Sequence, residues 1–190
     1  ATGSLRRKAQ WLNSFSTHKV VDLRGNVNTR LAKLASNVDW DAAIFAKAGL
    51  DRIGLLSKLK SNYGFEYTDL DSFIPAPAQG VMMIAAMGEN KELLNVISKI
   101  NDFDAQLCTT IERAFLRTLE GGCTAPIGAL ATLSGNQINF KACLYSLDGK
   151  KQLDVLEKWN PSLAMGSNEN NLQILNEAKS FAQATAHGLL

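Results

Sequence analysis

The spacing of apolar residues changes at Gly121-Gly122, where a helical pattern gives way to an alternating one. In the segment directly before the glycines, 104–120, apolar residues recur every four positions, as on one face of a helix. After them, apolar and polar residues alternate, as in strands with one buried face. Glycine commonly ends a helix, so a helix over 104–120 is expected to end at this pair. The sequence therefore predicts two parts of different fold class, and the boundary between them is expected between Ser72 and Asp104, ahead of this helix.

The first part alternates short apolar runs with helical segments. A helix is predicted over 4–15 with Ser4 as its N-cap, a second over 28–35, and a third after Gly49. Strands are predicted at 19–23, 42–45 and within 81–87. Strand and helix in this order are typical of parallel βα units. We therefore expect a partial α/β domain with a parallel sheet, whose ligand edge lies at the turns from strand to helix.

The second part has the pattern of an antiparallel meander. Three strands are predicted, at 127–133, 137–146 and 151–159. Ser134-Gly135-Asn136 and Asp148-Gly149-Lys150 between them are hairpin signals. A short helix is predicted over 89–100, and an amphipathic helix over 168–186. The second part is therefore expected to be a small α+β domain with a three-stranded antiparallel sheet.

Composition excludes several classes of protein. With 46% apolar and 20% charged residues among 190, the chain is globular rather than disordered. The longest apolar run, 81–87, is too short to cross a bilayer, so no membrane partner is expected. Three cysteines without a CxxC pair predict neither a disulfide framework nor a metal site, and favour a cytoplasmic protein. The chain lacks an initial methionine and begins close to a helix, so we expect a piece of a longer protein.

Arginines recur at the predicted turns into the first three helices. They are Arg6, Arg7, Arg24, Arg30 and Arg52. A cation in a helix's first turn opposes the helix dipole by about 0.3–1 kcal/mol, and a bound anion offsets that cost. A single such arginine is usually a solvated surface residue, whereas the recurrence favours a ligand with several negative groups. Nucleic acid is a weaker alternative, since the net charge is only +2 and aromatic residues make up 7%.

Cys123 follows the glycine pair and precedes Thr124-Ala125-Pro126, which predicts a position on an exposed loop. No histidine lies near it in the sequence, so an activated nucleophile of the cysteine-protease type is not supported. Two interpretations stay open, a covalent attachment point and a structural cysteine. Cys108 and Cys143 are predicted to be small core residues.

Five segments together are similar to one family. They are Ser4-Leu5-Arg6-Arg7, Arg24-Gly25-Asn26-Val27-Asn28-Thr29-Arg30-Leu31, Ala48-Gly49-Leu50-Asp51-Arg52, Glu112-Arg113-Ala114-Phe115-Leu116, and Leu119-Glu120-Gly121-Gly122-Cys123-Thr124-Ala125-Pro126-Ile127-Gly128. In this order they closely resemble the porphobilinogen deaminase (hydroxymethylbilane synthase) family, from residue 1 to about residue 149.

The resemblance implies a transferase of tetrapyrrole and heme biosynthesis. Such an enzyme joins four porphobilinogen units head to tail, with release of ammonia, to give the linear tetrapyrrole hydroxymethylbilane. It implies a dipyrromethane primer held by a thioether to Cys123. Ser4, Arg6, Arg7, Arg24, Arg30 and Arg52 match positions that bind the carboxylates of the pyrroles. Members of the family are usually monomeric, and the partners implied are porphobilinogen and the growing polypyrrole.

The resemblance also implies a domain organisation. Residues 1–73 correspond to part of the second domain of the family, 74–100 to a strand and helix that return to the first, and 101–190 to the third. The catalytic aspartate belongs to an N-terminal domain outside this chain, so no catalytic residue is assigned and the fragment alone is expected to be inactive. The alternative is a catalytically silent anion-binding module that retains the arginines.

One segment departs from the family pattern. Pro75-Ala76-Pro77-Ala78-Gln79-Gly80 stands where the family usually has Pro-Ala-Val-Gly-Gln-Gly. Proline at 77 and alanine in place of glycine at 78 both restrict the backbone, so this segment is expected to be stiffer than in its relatives.

Overall fold

The computed structural model describes residues 1–119 and 125–189. Its helices are α1 (Leu5–Ser14), α2 (Val27–Ser36), α3 (Lys47–Arg52), a 3-10 turn (Leu56–Lys58), α4 (Leu59–Tyr63), α5 (Lys91–Ser98), α6 (Phe103–Thr118) and α7 (Asn168–His187). Its strands are β1 (Ile127–Ser134), β2 (Gln137–Tyr145) and β3 (Gln152–Trp159). Among the described residues, the first unit comprises 1–73, 125–126 and 145–152, and the second comprises 74–119, 127–144 and 153–189.

The longer helices begin where a polar side chain caps the first turn. Ser4, Asn26, Asn90, Asp102 and Ser167 each accept a hydrogen bond from the backbone N–H three residues further on. Such caps satisfy amide groups that have no partner within the helix. The helices predicted over 4–15, 28–35, 89–100, 104–120 and 168–186 are confirmed to within about two residues at their ends, whereas the one predicted after Gly49 is found over Lys47–Arg52.

The first unit is built on a small helical core. Leu31 of α2, Leu50 of α3 and Leu59 of α4 are nearly fully buried against one another. Phe45 and Phe65, from the segments beside these helices, pack on the same cluster. Short helices of this kind are stabilised by burial of their apolar faces rather than by their own hydrogen bonds.

The strands predicted at 19–23, 42–45 and 81–87 are wrong, because residues 1–119 contain no strand. The segments 19–23 and 42–45 form isolated backbone hydrogen bonds with the first two residues of the chain. The Thr2 amide donates to Val21 O at 3.0 Å, the Ala1 amino group donates to Ala42 O at 2.7 Å, and the Ile44 amide donates to Ala1 O at 3.0 Å. A strand needs a continuous ladder, and these bonds do not form one. The predicted parallel sheet is therefore not confirmed.

The second unit contains the predicted antiparallel sheet, in the order β1-β2-β3. Ile127 pairs with Leu144 and Ser134 with Gln137, so β1 and β2 are in register along their length. The sheet and α6 and α7 share a core. Its fully buried members are Leu107, Ile111, Phe115, Ala129, Ile138, Phe140, Ala142, Cys143, Ile174, Ala178, Ala182 and Ala186. The small alanines of α7 recur every four residues, which lets this helix pack closely on α6.

The turn between β2 and β3 belongs to the first unit, where it packs on α1. Asn13 Nδ2 donates to Gly149 O at 3.0 Å. Gly149 has φ +73°, and a Cβ atom there would lie 2.6 Å from Ala9 O and 2.9 Å from Asn13 N. Only glycine adopts this conformation at so close an approach without displacing the helix.

The described residues include no helix with the length and apolarity that a bilayer span requires.

Candidate functional site

The N-terminus of α1 brings together three of the predicted binding residues. The Ser4 hydroxyl accepts the Arg7 amide at 3.4 Å, and the Ser4 amide donates to the Thr2 hydroxyl at 3.3 Å. Arg6 is buried, with 8% of its surface exposed, and Arg7 is half-buried. Two arginines therefore belong to the first turn of α1, where the helix dipole already presents positive charge.

Arg30 adds a further positive charge beside Arg7. Burial, and secondarily the charge of Arg30, lower the pKa of Arg7. Arg7 Nη1 donates to Ile44 O at 3.3 Å, and Arg30 Nε donates to Gly25 O at 2.7 Å. Both acceptors are neutral carbonyls, and within the described part of the chain neither arginine forms an ion pair. A bound carboxylate or phosphate at this point would offset both the desolvation and the repulsion.

The side chain of Arg24 lies beside Gly3, the residue before the N-cap of α1. A Cβ atom at Gly3 would meet Leu23 O at 2.6 Å and Arg24 Cδ at 3.3 Å, so the absence of a side chain lets the Arg24 stem lie over the backbone. Its Nε also pairs with Asp22, at 3.0 Å from Oδ2. Both side chains of this pair are mostly exposed. Arg24 can therefore exchange Asp22 for a ligand carboxylate at little cost.

Arg52 does not occupy the predicted position. It is the last residue of α3 rather than part of its first turn. Its positive charge therefore lies at the negative end of the helix dipole, where the interaction is favourable. The helix begins earlier than its apolar residues suggest, because Ala46 already serves as its N-cap. The dipole argument for a ligand at Arg52 therefore fails, and its role in carboxylate binding stays a prediction that rests on the resemblance.

The attachment residue predicted from the sequence, Cys123, lies outside the described residues. The other two cysteines can be placed. Cys143 is fully buried in the core of the second unit, as predicted. Cys108 is half-buried on α6, where burial raises the pKa of its thiol to about 11, with smaller contributions from Glu112 and Asp104. A thiol with so high a pKa is almost entirely protonated at neutral pH and reacts slowly.

Glu112 is a buried acidic residue to which the sequence interpretation gave no role. Only 5% of it is exposed, and its carboxylate accepts the backbone amides of Ala78 and Ala131. The signal was present in the sequence, because Glu112 follows Ile111 and precedes Phe115 on the apolar face of α6. An acidic residue inside an apolar stripe has to find polar partners in the fold.

Two family models match this chain. Residues 1–95, which contain the arginine cluster, match "Porphobilinogen deaminase, dipyromethane cofactor binding domain". Residues 106–170 match "Porphobilinogen deaminase, C-terminal domain". The arginines that the sequence predicts to bind an anion thus lie within the match to the first of these models.

Curated relatives agree with both models. A porphobilinogen deaminase of Staphylococcus epidermidis is 41% identical over 154 residues, which cover 80% of this chain and 48% of the relative. One of Francisella tularensis subsp. novicida is 43% identical over 152 residues, which cover 80% and 49%. This chain belongs to the porphobilinogen deaminase family. It spans about half the length of the curated relatives it matches.

Proposed function

We propose that this chain is part of a hydroxymethylbilane synthase, which condenses four porphobilinogen units to hydroxymethylbilane and releases ammonia at each condensation. The observation that carries the proposal is the position of Arg7 in the first turn of α1, half-buried and close enough to Arg30 of α2 for that charge to lower its pKa, while neither arginine forms an ion pair among the described residues. These residues fall within the match to the cofactor-binding domain. Porphobilinogen and the polypyrrole made from it carry an acetate and a propionate on each ring, and guanidinium groups bind carboxylates in pairs.

The residues around α1 fit a dipyrromethane primer. Arg6 and Arg7 supply planar donors, Arg30 supplies a positive charge close enough to lower the pKa of Arg7, and Arg24 can turn from Asp22 to a ligand. Partial burial of Arg7 keeps water from competing for its donors, which strengthens a charged hydrogen bond. When bound, the primer supplies the pyrrole to which the first substrate unit is joined. In this proposal Cys123 holds the primer by a thioether.

We also propose a domain assignment for residues 74–100. Eight apolar side chains within 81–100, together called the 81–100 surface, are between two-fifths and nine-tenths exposed: Val81, Met82, Met83, Ile84, Met87, Leu93, Val96 and Ile100. A concentration of exposed apolar side chains in one segment indicates an interaction site. The matched relatives are about twice as long as the matched region. We therefore assign 74–100 to a domain completed by the part of the protein corresponding to the unmatched half of the relatives.

Porphobilinogen titration tests the arginine site. Arg7→Leu and Arg30→Leu are each expected to weaken binding by about 1.5–3 kcal/mol, the size of a hydrogen bond to a charged group, and to reduce its salt dependence. Arg24→Leu is expected to cost less, because Arg24 is exposed and already paired. The matched control is Lys179→Leu, which removes one charge from an exposed position on α7. Calorimetric affinities that are unchanged in both arginine variants, or equally reduced in the control, contradict the proposal.

A second outcome separates the enzyme from the silent anion-binding module. On its own the chain is expected to form no hydroxymethylbilane, because general acid assistance worth roughly 10²–10⁴-fold comes from the family's first domain. Adding that domain in trans from the Staphylococcus epidermidis relative is expected to restore turnover if the chain is an enzyme part. A chain that binds porphobilinogen and stays inactive in a folded complex is the silent module.

A further inference from the structure

The turn that leads into α2 is held by two cationic side chains of that helix. Arg30 Nε donates to Gly25 O at 2.7 Å, and Lys33 Nζ donates to Arg24 O at 3.1 Å. Arg30 and Lys33 are three residues apart, so their side chains leave the same face of α2. One helix face therefore holds the carbonyl groups of two consecutive residues.

Contacts on both sides of Arg24 fix the ends of this turn. Before it, Leu23 is almost fully buried in the first unit. After it, Asn26 caps α2, and its side-chain oxygen accepts the amide and the hydroxyl of Thr29, both at 2.9 Å. The Arg24 carbonyl lies between these two anchors, at the point where Lys33 holds it.

The backbone of Arg24 determines where its side chain starts. The two peptide planes that flank a Cα atom fix the direction of its Cα–Cβ bond. The stem of Arg24 lies beside Gly3, and its Nε is 3.0 Å from Asp22 Oδ2. Loss of the Lys33 bond frees the plane that follows Arg24, and the guanidinium group then samples a wider range of positions. Ordering that group again on a ligand costs conformational entropy.

Lys33 lies on an exposed part of α2, and among the residues that the structure describes it forms no ion pair. A lysine here either attracts an anion by its own charge or fixes the turn that carries Arg24. The bond to Arg24 O favours the second role. We propose that Lys33 is a positioning residue for Arg24: its ammonium group holds the Arg24 carbonyl, so that the guanidinium group is presented to a carboxylate of porphobilinogen. The inference rests on the proposed function, in which Arg24 binds such a carboxylate.

A double-mutant cycle on the whole chain tests this role, with calorimetric affinity for porphobilinogen as the measurement. Lys33→Met removes the ammonium group and keeps an unbranched stem, and it is expected to weaken binding about two- to fivefold. In an Arg24→Leu background the same substitution is expected to leave the affinity unchanged, because Lys33 acts through Arg24. Lys33→Arg retains a cationic donor and is expected to keep most of the affinity.

Two results of the cycle would overturn the proposal. Equal losses from Lys33→Met in both backgrounds mean that Lys33 acts on the ligand by its own charge. An unchanged affinity in Lys33→Met means that it has no role in binding. The matched control is Lys58→Met, which removes one charge from an exposed position of the same unit and is expected to keep full affinity. A loss in this control as large as in Lys33→Met also contradicts the proposal.

Hydrogen exchange without substrate reports the hold on the turn itself. The amides of Thr29 and Arg30 both donate to Asn26, the residue that follows the turn. Both amides are expected to exchange at least about twofold faster in Lys33→Met and at the unsubstituted rate in Lys33→Arg. Exchange that is unchanged in Lys33→Met contradicts the positioning role.

The two proposals fail separately. If Arg7→Leu and Arg30→Leu weaken porphobilinogen binding and Lys33→Met does not, only the role of Lys33 is overturned. If no arginine variant weakens binding, the proposed function is overturned and the role of Lys33 in binding with it. Faster exchange in Lys33→Met then describes the turn alone.

Discussion

Ala78 has a backbone conformation that favours glycine, the residue that the family pattern has at this position. The sequence predicted a stiffer segment from Pro77 and Ala78, and the structure places them at the two central positions of a turn. Proline suits the first of these positions, whereas the second requires positive φ and favours glycine. Alanine at φ +58° therefore stores strain in the turn that Glu112 holds.

Ala78→Gly is expected to stabilise the chain. Relief of the left-handed conformation is worth roughly 1–2 kcal/mol, and the added freedom of glycine in the unfolded chain removes about 0.5–1 kcal/mol of that. The net gain in the free energy of unfolding is about 0.5–1 kcal/mol. Urea denaturation measures it, with Ala76→Gly in the same turn as the control that should destabilise. A loss of stability in both variants would show that Ala78 is not strained.

Cys108 gives a prediction about pH dependence. Its pKa of about 11, raised mainly by burial, lies about two units above the ordinary value of 9.0. Because the thiolate is the reactive form, alkylation of Cys108 at pH 8 is expected to be about 100-fold slower than that of an exposed thiol. The rate should still be rising at pH 10. Peptide mass spectrometry after timed alkylation measures it, and a plateau near pH 9 would contradict the burial argument.

At the level of elements, a pair of glycine substitutions tests whether the turn between β2 and β3 packs on α1. Gly149 and Gly135 both have positive φ, +73° and +61°, but only Gly149 has backbone atoms of another element within 3 Å of a Cβ position. Gly135→Ala therefore costs only the conformational strain, about 1 kcal/mol. Gly149→Ala adds a clash with Ala9 O and is expected to cost at least about 1 kcal/mol more. Thermal unfolding of the two variants measures the difference, and equal losses would mean that the turn does not pack on α1.

The elements differ in how far their sequence specifies them. Caps such as Asp102 act within four residues, so the start of α6 could be predicted to within one position. The hairpins could be predicted because Gly135 and Gly149 provide the conformations their turns require. The segments 19–23 and 42–45 have strand-like composition, but a strand also needs a partner along its length. That partner comes from residues distant in the sequence. For these segments it consists of two residues, Ala1 and Thr2.

At the level of the whole molecule, the 81–100 surface makes the assignment of residues 74–100 testable. Met82, Met83 and Met87 are 87%, 77% and 73% exposed, while Met165 is half-buried. Dilute peroxide is expected to oxidise the first three several-fold faster than Met165 in this chain. Addition of the unmatched half of the Staphylococcus epidermidis relative is expected to protect them, with no change at Met165. Equal oxidation of all four, or no protection in a complex that forms, would contradict the assignment.

The sequence alone determined those features that depend on near neighbours in the chain. These include the helix starts, the hairpin turns, the three-stranded sheet and the concentration of arginine at the start of α1. The tertiary structure decided those that depend on distant residues: Arg7 comes to lie beside Arg30, Glu112 receives its two amides from Ala78 and Ala131, and the 81–87 run stays exposed. The physical reason is that a cap or turn is stabilised by bonds within a few residues, whereas burial of a charge depends on which segments the fold brings to it.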